Sequence, residues 1–256
     1  MHKKKIIIGN WKMNPESLKE AKKRFLEVKK EVIKYKNVQA VIAAPFVYLP
    51  ELGKISSAGL ALSAQNVSAE KEGAFTGEVS AKMLGGFKVK YCIVGHSERR
   101  TLGETNELIN KKIKMALAEN ITPIVCVGET DREHGMWHLG IVKTQVEECF
   151  FGIPKASLPK IIVAYEPVWA LSSTANRRDA TAEDSAEMII YIKKVLSDKF
   201  DAKSVEAVRV LYGGSVNETN AGEFLSAGKA DGLLPGKASL TPKIFTSILK
   251  VANDIK

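Results

Sequence analysis

The stretch Ile161-Ile162-Val163-Ala164-Tyr165-Glu166-Pro167-Val168-Trp169-Ala170 decides how this chain is read. Its first half is short, apolar and rich in β-branched residues, the composition of a strand buried on both faces. Pro167 has no amide hydrogen and a fixed φ, so the strand is expected to stop before it. Glu166 is then left at the carboxyl end of a buried strand, between apolar walls and with little water. Such surroundings make a carboxylate a stronger base. The plainer reading is a strand-ending glutamate bridged to a lysine.

Working outward, the same unit recurs. On the N-terminal side, apolar runs at Lys5 to Asn10, Val38 to Ala43, Leu60 to Gln65, Tyr91 to Val94 and Thr122 to Val127 read as strands. On the C-terminal side, Val208 to Leu211 and Ala230 to Leu234 complete a set of eight. Helical periodicity separates them. Leu18, Ala21, Phe25, Val28 and Val32 repeat at three and four, and Asn14-Pro15 supplies a cap and a first-turn proline for that helix. Further helices are expected around Phe46 to Leu52, from about Glu78, over Glu107 to Glu119, up to about Phe150 and from about Pro242. Thr181-Ala182-Glu183-Asp184 resembles a capping box at the head of another.

Regular alternation of strand and helix implies a parallel sheet. Eight units in 256 residues, with no low-complexity linker, favour one closed barrel, which typically needs ~250 residues. The expected architecture is α/β, a single (β/α)8 TIM barrel occupying residues 1–256. No apolar run approaches the ~20 residues that cross a bilayer, and Ile6-Ile7-Ile8 is too short for the core of a signal peptide. Cys92, Cys126 and Cys149 lack metal-ligand spacing, so a cytoplasmic location is expected. The net charge of +9 is spread over amphipathic segments such as Lys19 to Arg24, where glutamate is interleaved. That pattern describes solvated helix faces rather than a nucleic-acid surface, and the excess charge would draw in a small anionic substrate.

The polar residues fall at the carboxyl ends of the strands, where barrels of this kind build their sites. Asn10, Lys12, His96 and Glu166 end strands one, four and six, and closure aims them at one mouth. Gly213-Gly214, with Ser215, and Gly236 end strands seven and eight, where backbone amides can approach a phosphate closely. A base, a polarising group and a phosphate cradle suggest proton transfer next to the carbonyl of a small phosphorylated sugar. Each residue alone has a structural explanation: an ion-paired lysine, a core histidine, a tight glycine turn.

Six segments in this order resemble the triosephosphate isomerase family: Gly9-Asn10-Trp11-Lys12-Met13-Asn14, Gly73-Ala74-Phe75-Thr76-Gly77-Glu78, Gly95-His96-Ser97-Glu98-Arg99-Arg100, Cys126-Val127-Gly128-Glu129, Ala164 to Ala170, and Tyr212-Gly213-Gly214-Ser215-Val216-Asn217. The resemblance implies interconversion of dihydroxyacetone phosphate and glyceraldehyde 3-phosphate, without metal or organic cofactor. It implies Glu166 as the base, His96 as a neutral electrophile, Lys12 as an electrostatic stabiliser, Asn10 as a substrate holder and Glu98 as a supporting acid. Ser172, Gly213, Gly214, Ser215, Gly236 and Lys237 fall at the phosphate. A homodimer is implied, with Thr76 carried by a loop into the partner's site.

The chain departs from that family in the loop after strand six. Its first hinge, Pro167-Val168-Trp169, matches. Ser172 to Asp179 then replaces a Gly-Thr-Gly-Lys-Thr-Ala type of tip with a longer segment, in which Ser172 is expected to keep a phosphate contact. Pro235-Gly236-Lys237 stands where the family carries Val-Gly-Gly, and the loop after strand five is unusual at Met136-Trp137-His138. A barrel acting on another sugar phosphate, or one retained only for binding, are the alternatives. A substrate panel separates the first, and phosphate binding with little turnover would mark the second.

Overall fold

A computed structural model describes residues 4–132, 135–172, 174–175 and 177–255. Its eight strands are β1 (Lys5–Asn10), β2 (Val38–Ala43), β3 (Leu60–Ala64), β4 (Val89–Val94), β5 (Thr122–Val127), β6 (Ile162–Tyr165), β7 (Arg209–Tyr212) and β8 (Gly232–Leu233). Each pairs in parallel with the next, and β8 returns to β1 through Ile6 opposite Gly232 and Ile7 opposite Leu233. The sheet therefore closes, and the fold is a (β/α)8 barrel.

The alternation along each strand explains why both faces are apolar. Ile6 and Ile8 join Val41, Ile93, Ile124, Ile162 and Leu211 in the cluster that fills the barrel. Ile7, one residue out of phase, joins Ile42, Leu62, Val94 and Val163 against the surrounding helices. Those helices are α1 (Leu18–Val32), α2 (Leu49–Ile55), α3 (Ala81–Gly86), α4 (Ser97–Thr101), α5 (Asn106–Ala118), α6 (Trp137–Cys149), α7 (Ala182–Lys199), α8 (Ala202–Val205), α9 (Ala221–Leu225) and α10 (Pro242–Asp254). None of the described helices is long and apolar enough to cross a membrane.

Some expected boundaries move. The first helix is capped not by Asn14 but by Ser17, whose hydroxyl accepts the Glu20 amide, and it starts at Leu18. Pro15 is instead tied outward: its carbonyl accepts the Tyr48 hydroxyl at 2.6 Å, and the Asn14–Pro15 peptide is cis. Leu18, expected on the apolar face, is part-exposed, whereas Ala21, Phe25, Val28 and Val32 are buried as the periodicity requires. The helix expected from Glu78 begins at Ala81, because Ser80 caps it through the Met83 amide. The box at Thr181 is a true capping box, with Asp184 returning the bond to the Thr181 amide.

Candidate active site

β1 delivers Asn10 and, two residues on, Lys12. Lys12 has φ 50°, the left-handed region that a residue with a Cβ rarely occupies. A clamp holds it there. Its amide donates to Asn10 Oδ1 at 3.0 Å, and its carbonyl accepts from Gln65 Nε2 at 2.9 Å. The same Gln65 amide group reaches the Ala43 carbonyl at 2.9 Å, so the ends of β1 and β2 are fastened together beneath the lysine. Such a conformation persists only where the surroundings over-determine it. The Lys12 ammonium lies 2.5 Å from Glu98 Oε1, and the Glu98 side chain is half exposed.

β4 ends at Val94, Gly95 turns the chain, and His96 caps the short α4 with its own ring: Nδ1 accepts the Glu98 amide at 3.2 Å. A nitrogen that accepts an amide hydrogen carries none, so this bonding pattern assigns the ring proton to Nε2. Nε2 lies 3.1 Å from Glu166 Oε1. The imidazole thus presents a fixed N–H donor to the mouth of the barrel.

Glu166 extends β6 by one ladder bond, its amide donating to the Val127 carbonyl at 2.8 Å. Its carboxylate is 2% exposed as a residue, and Oε2 accepts the Ser97 amide at 3.2 Å. The backbone around it is packed too closely for side chains. A Cβ on Gly128 would stand 1.9 Å from the Glu166 carbonyl, and one on Gly213 would stand 3.0 Å from Glu166 Cγ. Beneath it lies Cys126, whose thiol is pushed well above its ordinary range by burial and, further, by the Glu166 carboxylate to which it is bonded.

Asn10, Lys12, His96 and Glu166 line one cleft of 430 Å³ together with Ser172, Gly213, Gly214, Ser215, Gly236 and Lys237. The sequence-predicted residues for substrate and phosphate are therefore brought together. Gly213 has a different part from the one expected. Its amide is committed to the Tyr165 carbonyl at 2.8 Å, so what it offers the cleft is room beside Glu166. Thr76 lies elsewhere, in a run of exposed residues from 71 to 78. Ser173 and Asn176 of the long loop lie outside the described residues.

The family model described as triosephosphate isomerase matches residues 5–252. The chain is 42% identical over 254 residues to the triosephosphate isomerase of Dictyoglomus thermophilum, covering 97% of this chain and 99% of that relative. It is 40% identical over 250 residues to the triosephosphate isomerase of Alkaliphilus oremlandii, covering 96% and 99%. That of Alkaliphilus metalliredigens is 39% identical over 250 residues. The chain belongs to the triosephosphate isomerase family.

In this triosephosphate isomerase family member the start of the loop after β6 is held by a network whose members sequence reasoning left without a role. Glu129, fully buried, accepts at a single oxygen from the Tyr165 hydroxyl (2.8 Å), Trp169 Nε1 (2.8 Å) and Arg132 Nε (3.0 Å). Its carbonyl accepts the Val168 amide at 3.0 Å. Arg132 continues to Asp184 (2.7 Å) and Glu187 (3.1 Å) on α7, so the chain entering the loop is tied to the helix that leaves it. Burial works against the Arg132 charge, but Tyr165, Glu129 and Asp184 outweigh it and hold the guanidinium protonated beyond its usual range. Burial and the Glu129 carboxylate push the Tyr165 phenol far up, keeping it a donor. Arg178 stacks over the Trp169 ring at 4.4 Å and Arg132 at 5.6 Å. The available signal was Glu129 itself, an acid directly after a strand end.

Proposed function

We propose that residues 1–256 act as one catalytic domain that interconverts dihydroxyacetone phosphate and D-glyceraldehyde 3-phosphate by proton transfer through an enediolate. The observation that carries this reading is the pairing of the buried Glu166 carboxylate with His96 Nε2, 3.1 Å apart, in a cleft that also holds Lys12. Glu166 takes the proton from the carbon next to the carbonyl and returns it to the neighbouring carbon. His96 Nε2–H bonds the carbonyl oxygen as it becomes negative, and passes a proton between the two oxygens as the double bond shifts. Lys12 adds positive charge beside that oxygen, Asn10 orients the substrate, and Glu98 holds the Lys12 ammonium in place until substrate arrives.

The phosphate sits at the other end of the cleft, where Ser172, Gly214, Ser215, Gly236 and Lys237 face it and Gly213 leaves room. The activity implied needs neither metal nor organic cofactor. Three free, buried cysteines support a reducing compartment, the cytoplasm. Phe75 is 46% and Met13 93% exposed, and apolar side chains so exposed support a homodimer in which the Thr76 loop reaches the partner.

The test is steady-state isomerisation of glyceraldehyde 3-phosphate by the chain and by Glu166→Ala purified identically. A loss of ~10²–10⁴-fold in the variant is expected of a removed base. Equal, weak activity in both would sink the reading, and a panel of other sugar phosphates would then be run on the same cleft.

A further inference from the structure

Arg177 lines the same cleft as Ser172, Gly214, Ser215 and Lys237. It is carried by the stretch of the loop that departs from the family pattern. We infer that Arg177 is a phosphate-binding residue of this enzyme and sets its preference for a phosphorylated triose over a free one; the inference rests on the isomerase reading above.

Three features point this way. The guanidinium is held rather than free to wander: Nη1 donates to Asp179 Oδ1 at 2.8 Å, and the side chain is 37% exposed. That bond occupies one corner of a planar fork with five donors, and such a fork matches two oxygens of a phosphate. The neighbouring groups at this end are glycine backbone and serine, which supply dipoles and hydrogen bonds but no net charge. Lys12, Arg177 and Lys237 are the lysine and arginine side chains lining this cleft, against the carboxylates of Glu166 and Glu218, and Lys12 already pairs with Glu98. A dianion entering the cleft therefore meets Arg177 and Lys237 in addition to Lys12, charges that a neutral triose does not exploit.

Arg177→Ala and Arg177→Lys test this, with glyceraldehyde 3-phosphate and glyceraldehyde as paired substrates and inorganic phosphate as the binding probe. Loss of a part-exposed charge-assisted contact should raise KM for glyceraldehyde 3-phosphate roughly five- to twentyfold in Arg177→Ala. Its kcat should stay within about twofold, as expected when a contact equal in ground and transition states is removed. The inhibition constant of inorganic phosphate should rise by the same factor, Arg177→Lys should recover part of both, and kcat/KM for glyceraldehyde should not move. Unchanged values for phosphate and glyceraldehyde 3-phosphate would overturn the assignment. So would an equal loss on glyceraldehyde, since Arg177 would then be shaping the loop rather than binding phosphate. Calorimetric titration with inorganic phosphate needs no turnover. A wild-type chain that binds phosphate through Arg177 yet isomerises nothing would defeat the isomerase reading and the substrate preference with it, leaving only the Arg177 phosphate contact.

Discussion

His96 is held by one ring nitrogen and works through the other: Nδ1 takes the Glu98 amide at 3.2 Å while Nε2 stands 3.1 Å from Glu166 Oε1. The donor is thus placed before any substrate arrives, and no reorientation is needed as charge develops. In His96→Asn the shorter side chain withdraws that donor but leaves the cleft open. Removing a preorganised donor of this kind lowers kcat by ~10²–10³-fold. KM should change far less, because the oxygen carries its full charge only on the way to the enediolate. Steady-state kinetics with both triose phosphates checks the split. A variant that loses KM and keeps kcat would remove His96 from the chemistry.

Glu129 predicts a different failure. Glu129→Gln keeps an acceptor for Tyr165 and Trp169 but removes the charge that faces buried Arg132. Breaking one side of a buried pair costs about 3–5 kcal/mol, and Arg132 keeps Asp184 and Glu187, so a value near the lower end is expected. Urea unfolding measures it. Trp169 loses an anionic acceptor at the same time, so its fluorescence should shift and phosphate titration should report a loosened loop. Unchanged stability with unchanged fluorescence would show the hinge to be held elsewhere.

How far these features were legible in the sequence depends on how local their causes are. β2 and β5 run over Val38–Ala43 and Thr122–Val127, the bounds that their apolar runs indicate. The Thr181 cap was readable because a capping box closes within four residues. The start of α1 was not, since Asn14 and Ser17 are both good cap residues, and the Pro15 carbonyl between them is held by the hydroxyl of Tyr48, far away in the chain. The same holds for the site. Glu166, His96 and Lys12 are exposed to inference by their strand-end positions, but Gln65 acts on Lys12 across 53 positions and Glu129 on Trp169 across 40. No spacing rule connects such pairs before the barrel closes.

Acid should reveal a third buried acid. Burial raises the Glu104 carboxyl, but bonds from Lys112 at 2.5 Å and Arg99 at 2.7 Å overcome it and leave the group below its usual range. A carboxyl depressed in the folded state contributes stability above its unfolded value of about 4.3, and that contribution disappears as pH falls through the lower folded value. Tm should therefore fall steeply below about pH 4.3 in the wild type. Glu104→Gln should be less stable at pH 7, and its Tm should be flatter across the acid range. Parallel curves for the two proteins would show that other carboxylates govern acid unfolding.

The tightest contact at the site yields the plainest test. Gly128 follows β5, and a Cβ there would fall 1.9 Å from the Glu166 carbonyl oxygen and 2.6 Å from its carbonyl carbon. Both are backbone atoms, so no rotamer change can relieve the clash; β5 and β6 must part. The Glu166 amide bond to Val127 and the Val168 bond to Glu129 lie on either side and would be stretched together. Gly128→Ala is accordingly expected to cost about 1–3 kcal/mol or more as an overpacked contact. It should also lower kcat, since the carboxylate moves with its backbone. Gly85→Ala is the control, because a Cβ at that glycine meets nothing within 4 Å. Unfolding and kinetics on the two variants separate a general effect of adding a methyl from the local one. If Gly128→Ala matched the control in both, the close approach of β5 to Glu166 would not be what holds the base in position.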